Sequence, residues 1–160
     1  NQLQELAFSY RGQRSAPGNV VPQPLVAFRN RTVWGAYPNK IVSQLLAAEF
    51  ATGSEGLYVI EIYPLPAGSI TTGAWVSPNP ESVLEANTTF TGAAPLTQPS
   101  YALHISVPSL GSGIGLSSAD ITRFDLSLRP GEEAAIYKRE IISGGGNDTT
   151  SWALRYIDRF

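Results

Sequence analysis

The chain has 160 residues, 42% of them apolar and 15% charged, which suits one compact domain and excludes an intrinsically disordered chain. Its formal charge of −2, with acidic and basic residues interspersed, leaves no basic stripe for a nucleic-acid backbone and no polybasic patch for a membrane. With no cysteine and one histidine, disulfides, thiolate nucleophiles and the usual cysteine or multi-histidine metal sites are excluded, and no apolar run approaches the ~20 residues that span a bilayer.

The sequence begins at Asn1, holds no methionine and shows no charged leader ahead of an apolar segment. The expectation is therefore a single domain, residues 1–160, excised from a longer protein. Its 15 glycines and 12 prolines supply the punctuation that many short strands require.

In chain order, residues 3–10 read as an N-terminal edge strand and residues 25–34 as a further strand. Residues 39–50 read as a helix, because Ile41, Leu45, Leu46 and Phe50 recur at spacings of three to five and Asn39 is a good N-cap. Residues 57–63 are apolar at nearly every position and β-branched or aromatic, which marks a central strand covered on both faces, with Glu61 as the odd member. Residues 69–76 are a weaker strand and residues 80–86 a short helical turn.

The second half is clearer. Tyr101, Leu103, Ile105 and Val107 alternate with Ala102, His104 and Ser106, and Phe124, Leu126 and Leu128 alternate with Arg123, Asp125 and Ser127. The turn Arg129-Pro130-Gly131-Glu132 leads into a strand over residues 134–142, and Gly144-Gly145-Gly146-Asn147-Asp148 leads into a terminal strand. That strand alternates Trp152, Leu154, Tyr156 and Phe160 with Ser151, Arg155 and Arg159, and Asp158 is the exception on its apolar side. The fold class is thus all-β, an antiparallel β-sandwich, jelly roll or small barrel with one or two short helices. Trp34 and Trp152 are expected in its core.

Catalysis needs a side chain whose charge or nucleophilicity can be tuned, and His104 is the natural suspect. It sits in mid-strand without a visible Ser or Asp partner pattern, so it reads as a structural or surface histidine. Glu132 with Glu133, and Glu81 with Glu85, are carboxylate pairs of the kind glycosidases use, but a Pro-Gly turn and one helical turn place them on solvated surface. Asp148-Thr149-Thr150 lacks the glycine of an aspartic-protease motif, and Gly111-Ser112-Gly113-Ile114-Gly115 lacks the strand and helix that a phosphate loop needs. No catalytic residue, metal or cofactor is expected. Asn30, Asn87 and Asn147 each open an Asn-x-Ser/Thr triplet, and Tyr37, Trp75 and Tyr101 are the aromatics best placed to hold a sugar or a partner.

The ending, a strand over 121–128, the Arg129-Pro130-Gly131-Glu132 turn, an Ala-rich strand over 133–142, a glycine turn and a terminal aromatic strand, resembles the protruding domains of non-enveloped RNA virus capsids. Residues 41–50 followed by a strand near Leu57 are similar to the spike domains of hepevirus-like capsids, including those of bee sinaiviruses, and nodavirus and tombusvirus protrusions are similar in size. The resemblance implies a projection domain on the virion surface that clusters as dimers or trimers and attaches to a host receptor or glycan. It implies no nucleic-acid contact, no direct membrane insertion and no catalytic residues. The competing readings are a carbohydrate-binding β-sandwich module of a secreted protein and a small hydrolase built on His104 or a carboxylate pair.

Overall fold

The computed structural model describes residues 4–17, 20–52, 56–107, 115–120, 126–142 and 147–160. Among them every regular element is a strand: β1 (Glu5–Pro17), β2 (Gln23–Asn30), β3 (Val33–Trp34), β4 (Tyr37–Pro38), β5 (Val42–Thr52), β6 (Gly56–Leu65), β7 (Leu84–Asn87), β8 (Tyr101–Val107), β9 (Gly115–Asp120), β10 (Ser127–Leu128), β11 (Glu133–Ile142) and β12 (Asn147–Arg159). Sheet A runs β1-β12-β5, with β9 and β10 lying in succession along the free side of β5. Sheet B runs β7-β2-β11-β6-β8, and all of these pairings are antiparallel.

Two sheets ordered β1-β12-β5-β9 and β2-β11-β6-β8 have the strand order of a jelly roll, here with β7 added at one edge of sheet B. Antiparallel strands reverse at each step. The last residues of β1, β5, β8 and β11 and the first residues of β2, β6, β9 and β12 therefore lie at one end of the sandwich. The two long connections, residues 31–41 and 66–100, lie at the other end with residues 126–132.

Alternation fills two cores. Val26, Phe28, Leu45, Ala48, Phe50, Tyr58, Ile60, Ile62, Ala134, Ile136, Trp152, Leu154 and Tyr156 meet between the sheets. On the other side of sheet B, Ala27, Tyr63, Leu65, Ala135 and Tyr137 are covered by Phe90, Ile70, Trp75 and Ala94 of the 66–100 connection, with Tyr63 and Phe90 both edge-on to Tyr137. This explains why residues 57–63 are apolar at nearly every position: β6 is central and buried on both faces.

The expected helix over 39–50 is instead the start of β5. Leu46 is an extra residue in β5, since Leu45 and Ala47 pair with the adjacent Tyr156 and Arg155 of β12. That bulge breaks the period of two, so the buried apolar residues Ile41, Leu45 and Ala48 fall at spacings of four and three, which imitates a helix. Asn39 does make the bond expected of a cap, its Oδ1 accepting from Ile41 N at 2.9 Å, but this side-chain turn launches a strand equally well.

Three further expectations change. Residues 69–76 form no strand and run along the outer core, touching a ladder only at the Val76–Ala86 bridge. Residues 80–86 hold a turn at Pro80 and Glu81 and then β7, not a helical turn. Trp34 is not a core residue: it lies half-exposed in the β3–β4 hairpin with the Arg31 guanidinium 5.6 Å from its ring.

Trp152 is buried in the inter-sheet core as expected. It depends on a glycine, because Gly12 pairs with it across the β1–β12 ladder and an added Cβ would stand 2.6 Å from the indole. Trp152→Ala should lower unfolding free energy by about 3–5 kcal/mol, whereas Trp34→Ala should change it by less than about 1 kcal/mol. Urea unfolding of the two variants separates them, and equal losses would show that the assignment of the two indoles is wrong.

Candidate functional site

The end of the sandwich with the long connections is held by a buried carboxylate. Asp158, near the end of β12, is fully buried; its Oδ1 accepts from Ser43 Oγ of β5 at 2.5 Å, and its Oδ2 accepts from Ser82 Oγ at 2.9 Å and Val83 N at 3.0 Å. Tyr156 donates its hydroxyl to Ser82 Oγ at 2.9 Å. One side chain thus joins sheet A to the segment that leads into β7, with three donors offsetting the cost of burying charge.

Two buried asparagines fix the 31–41 connection. Asn30 Nδ2 donates to Ile41 O at 2.7 Å and Leu128 O at 2.8 Å, and Asn39 Nδ2 donates to Asn30 Oδ1 and Arg31 O, both at 2.7 Å. The turn after β10 closes against the same strand, with Gly131 N donating to Asn30 O at 2.8 Å and Glu132 N to Arg129 O at 2.9 Å. Pro130 followed by Gly131 at φ 89° meets the backbone requirement of a type II turn.

Between these braces lies a depression of about 460 Å³, lined by Arg29, Arg31, Val33, Gly68, Glu85 and Glu133 among others. Arg29 Nε donates to Glu85 Oε1 at 3.0 Å, and the Arg29 guanidinium stacks 4.5 Å from the centre of the Trp75 ring. Arg31 Nε stands 3.8 Å from the same Glu85 oxygen, an ion-pair distance too long for a hydrogen bond, and this buried nitrogen has no hydrogen-bond partner among the described residues. Glu133 is committed elsewhere: its oxygens accept from Gly68 N at 2.6 Å and Ile70 N at 2.8 Å. Such an arrangement of paired guanidiniums can hold an anionic group.

The aromatics singled out from sequence are not brought into one site. Tyr37 is exposed in β4, Trp75 is half-buried beside β7 with Arg29 over its ring, and Tyr101 is half-buried on β8, at the opposite edge of sheet B, packed against the inter-sheet core. All three lie towards the same end of the sandwich. Of the carboxylates read as solvated surface, Glu81 is exposed, but Glu133 is buried and Glu85 is a half-buried strand residue paired with two arginines. Glu61 accepts from the Tyr63 hydroxyl and from Arg139 Nε, which accounts for a carboxylate on the covered face of β6.

Asn30 and Asn87 are buried, and each amide nitrogen donates to a backbone carbonyl, that of Asn87 to Thr72 O at 2.9 Å, so neither can carry a glycan in the folded domain. His104 pairs through its backbone with Val59 of β6, and its side chain lies outside the described residues, as do the side chains of Asn147 and Asp148 and the 111–114 part of the glycine run. Among the described residues no three His, Cys, Asp or Glu side chains gather as a metal site would require. Sequence reasoning missed Arg29 and Arg31 and named Glu85 only as half of a solvated carboxylate pair. The only signal was Arg29-Asn30-Arg31, two cations closing a strand.

The strand order places the chain in the jelly-roll class. No family model and no curated protein sequence matches it. The solved structures to which it is similar include Desmodium yellow mottle tymovirus, at 10% identity over 97% of this chain and 88% of that one with a TM-score of 0.34. They also include the decameric BFDV capsid protein, at 11% identity over 99% of both chains with a TM-score of 0.29, and nora virus, at 12% identity over 97% of this chain and 59% of that one with a TM-score of 0.30. At these scores the likeness carries no argument, and the jelly-roll assignment rests on strand order and register.

Asp158→Ala leaves Ser43, Ser82 and the fixed Val83 N–H without their acceptor and should cost about 3–5 kcal/mol, while Asp158→Asn, which keeps one acceptor for Val83, should cost less than half of that. Equal losses would show that the carboxylate is not the brace. Burial pushes the Tyr156 phenol up to about 12, Ser82 pulling it back and the Asp158 charge raising it. Because the folded value lies above the ordinary 10.0, the contribution is intact below about pH 10 and is lost as pH rises towards 12. Urea midpoints should fall over that window, and less steeply in Tyr156→Phe.

Proposed function

We propose that this chain is a structural domain of a viral capsid protein, a single projection-type unit of a longer chain. It stands at the virion surface, associates with copies of itself as a dimer or trimer, and presents the end with the long connections to a host receptor or glycan. The observation that supports this reading best is the sandwich itself. Strands β1, β2, β5, β6, β11 and β12 put side chains into two cores, while both long connections and an exposed apolar hairpin gather at one end. The sequence resemblance to capsid protrusions points the same way, and it brings no enzyme chemistry and no nucleic-acid contact with it.

The alternative of a secreted carbohydrate-binding module needs two or three coplanar exposed aromatics. Tyr37, Trp75 and Tyr101 do not supply them, since Arg29 covers one ring and core packing half-buries another. The hydrolase alternative loses its carboxylate pairs, because Glu85 and Glu133 are committed to arginines and backbone N–H groups. The self-association surface is not the apolar side of β12, which the core absorbs; the outward residues of that strand are Ser151, Ala153, Arg155 and Arg159.

Light scattering coupled to size exclusion, across a hundredfold concentration range, should find a discrete dimer or trimer. Labelled chain should also attach saturably to cells of the host. A chain that stays monomeric at the highest concentration and attaches to no cell would overturn the proposal.

A further inference from the structure

We infer that β1 is the edge through which the domain self-associates, pairing antiparallel with β1 of a second copy about a two-fold axis at Phe8, so that Glu5 faces Arg11 and Ala7 faces Ser9 across the axis. This rests on the self-association reading above and names its surface and register. The backbone supplies the first part of the case. Among the described residues β1 is paired on one side only, by β12. Phe160 N donates to Gln4 O at 3.0 Å, so in this ladder the even-numbered residues of β1 exchange their bonds with β12. The N–H and C=O groups of Glu5, Ala7, Ser9 and Arg11 therefore point to the free side. Edge strands are protected from pairing by shortness, proline, lysine or a bulge. β7, at the edge of sheet B, has four residues, whereas β1 has 13, with no lysine, no proline before Pro17 and no shift of register against β12.

The side chains select a second copy as the partner. On the outer face Ala7, Ser9 and Arg11 are exposed, and Arg11 has no acid partner among the described residues. Glu5 meets only Arg159, in an exposed pair that leaves 51% of the glutamate side chain open. Glu5 and Arg11 are equidistant from Phe8, so antiparallel pairing centred there sets acid against cation on both sides of the axis. Centring on Ser9 or Tyr10 would set Glu5 against Gln13 or Ser15 instead. On the inner face Leu6 is 42% exposed, and Phe8 and Tyr10 are only half-buried although they pack on Tyr156, Phe28 and Trp152. The same register places Phe8 against Phe8 and Leu6 against Tyr10 in non-hydrogen-bonded pairs, where facing side chains come closest. A strand of another protein could satisfy the free backbone groups. The charge and ring pattern is satisfied by this sequence run in reverse, as an isologous contact requires.

The test is analytical ultracentrifugation of the whole chain over a range of concentrations. The native sequence should form a dimer. Arg11→Glu and Glu5→Arg should each raise the dimer dissociation constant about tenfold or more, because each substitution acts twice across the axis. An equimolar mixture of the two variants should recover the dimer, since every cross-copy pair is again opposite in sign, and the recovery also shows that both chains are folded. The chain has no cysteine of its own, so disulfides read the register directly. A mixture of Ala7→Cys and Ser9→Cys chains should oxidise to the heterodimer, whereas Gln13→Cys should crosslink to neither.

A chain that is monomeric throughout, a mixture of the charge variants that does not recover the dimer, or crosslinking of Gln13→Cys as readily as of the 7–9 pair overturns the inference. If both charge variants self-associate as the native chain does and still attach to cells, the inference falls and the capsid reading stands. If dimers form through β1 in the stated register but attach to no cell, receptor attachment falls and the inference stands.

Discussion

A carboxylate removed from water must be met by hydrogen bonds or it destabilises the fold, and Asp158 meets this condition by collecting three donors from two distant parts of the chain. Ser43 belongs to β5 in sheet A, while Ser82 and Val83 lead into β7 at the edge of sheet B. The consequence extends beyond the three bonds. Val83 O accepts the backbone N–H of Arg31, and Glu85, two residues on, aligns Arg29 and Arg31. The geometry of the depression beside Glu85 therefore descends from a buried charge that never touches solvent.

The two sheets are finished differently, and this decides where a partner can meet the domain. The outer face of sheet B is a second core, closed by the 66–100 connection, with Arg14 of β1 reaching Phe90 O at 2.9 Å to hold that connection against the sandwich. The outer face of sheet A has no such cover among the described residues. Its strands offer Ser9, Ala47 and Ala153 with Arg11, Glu49 and Arg155 around a shallow depression of about 250 Å³. Small side chains and charges of both signs make a poor apolar anchor. Exposed apolar side chains stand instead at both ends of the sandwich, Val33 and Tyr37 at one and Val20 and Val21 at the other.

Much of the ladder was legible because alternation is a local property. β6, β8, β11 and β12 were readable from their own residues, as was the Pro130-Gly131 turn. Residues 39–50 were misread because one extra residue, Leu46, shifts the phase of an otherwise regular strand, and a bulge is set by the partner strand, which a local window does not contain. Trp34 was misplaced for a related reason. An indole in an apolar stretch is usually core, but the stretch here ends in a hairpin that projects from the sandwich and lends its ring to Arg31.

The site was less legible than the fold because its contacts are long in sequence. Asp158 could be flagged as an exception to its strand's pattern, but its partners Ser43 and Ser82 lie 115 and 76 residues away. Glu85 meets Arg29 across 56 residues, and Glu133 meets Gly68 across 65. A pairwise propensity carries no information over such separations. What brings these groups together is the topology: the jelly roll returns β12, the entry to β7 and the ends of β2 and β10 to the same end of the sandwich. An isolated acid on an apolar strand face is then a useful sequence signal, since burial obliges it to recruit donors, and the donors mark which connections are held rigidly enough to build a site.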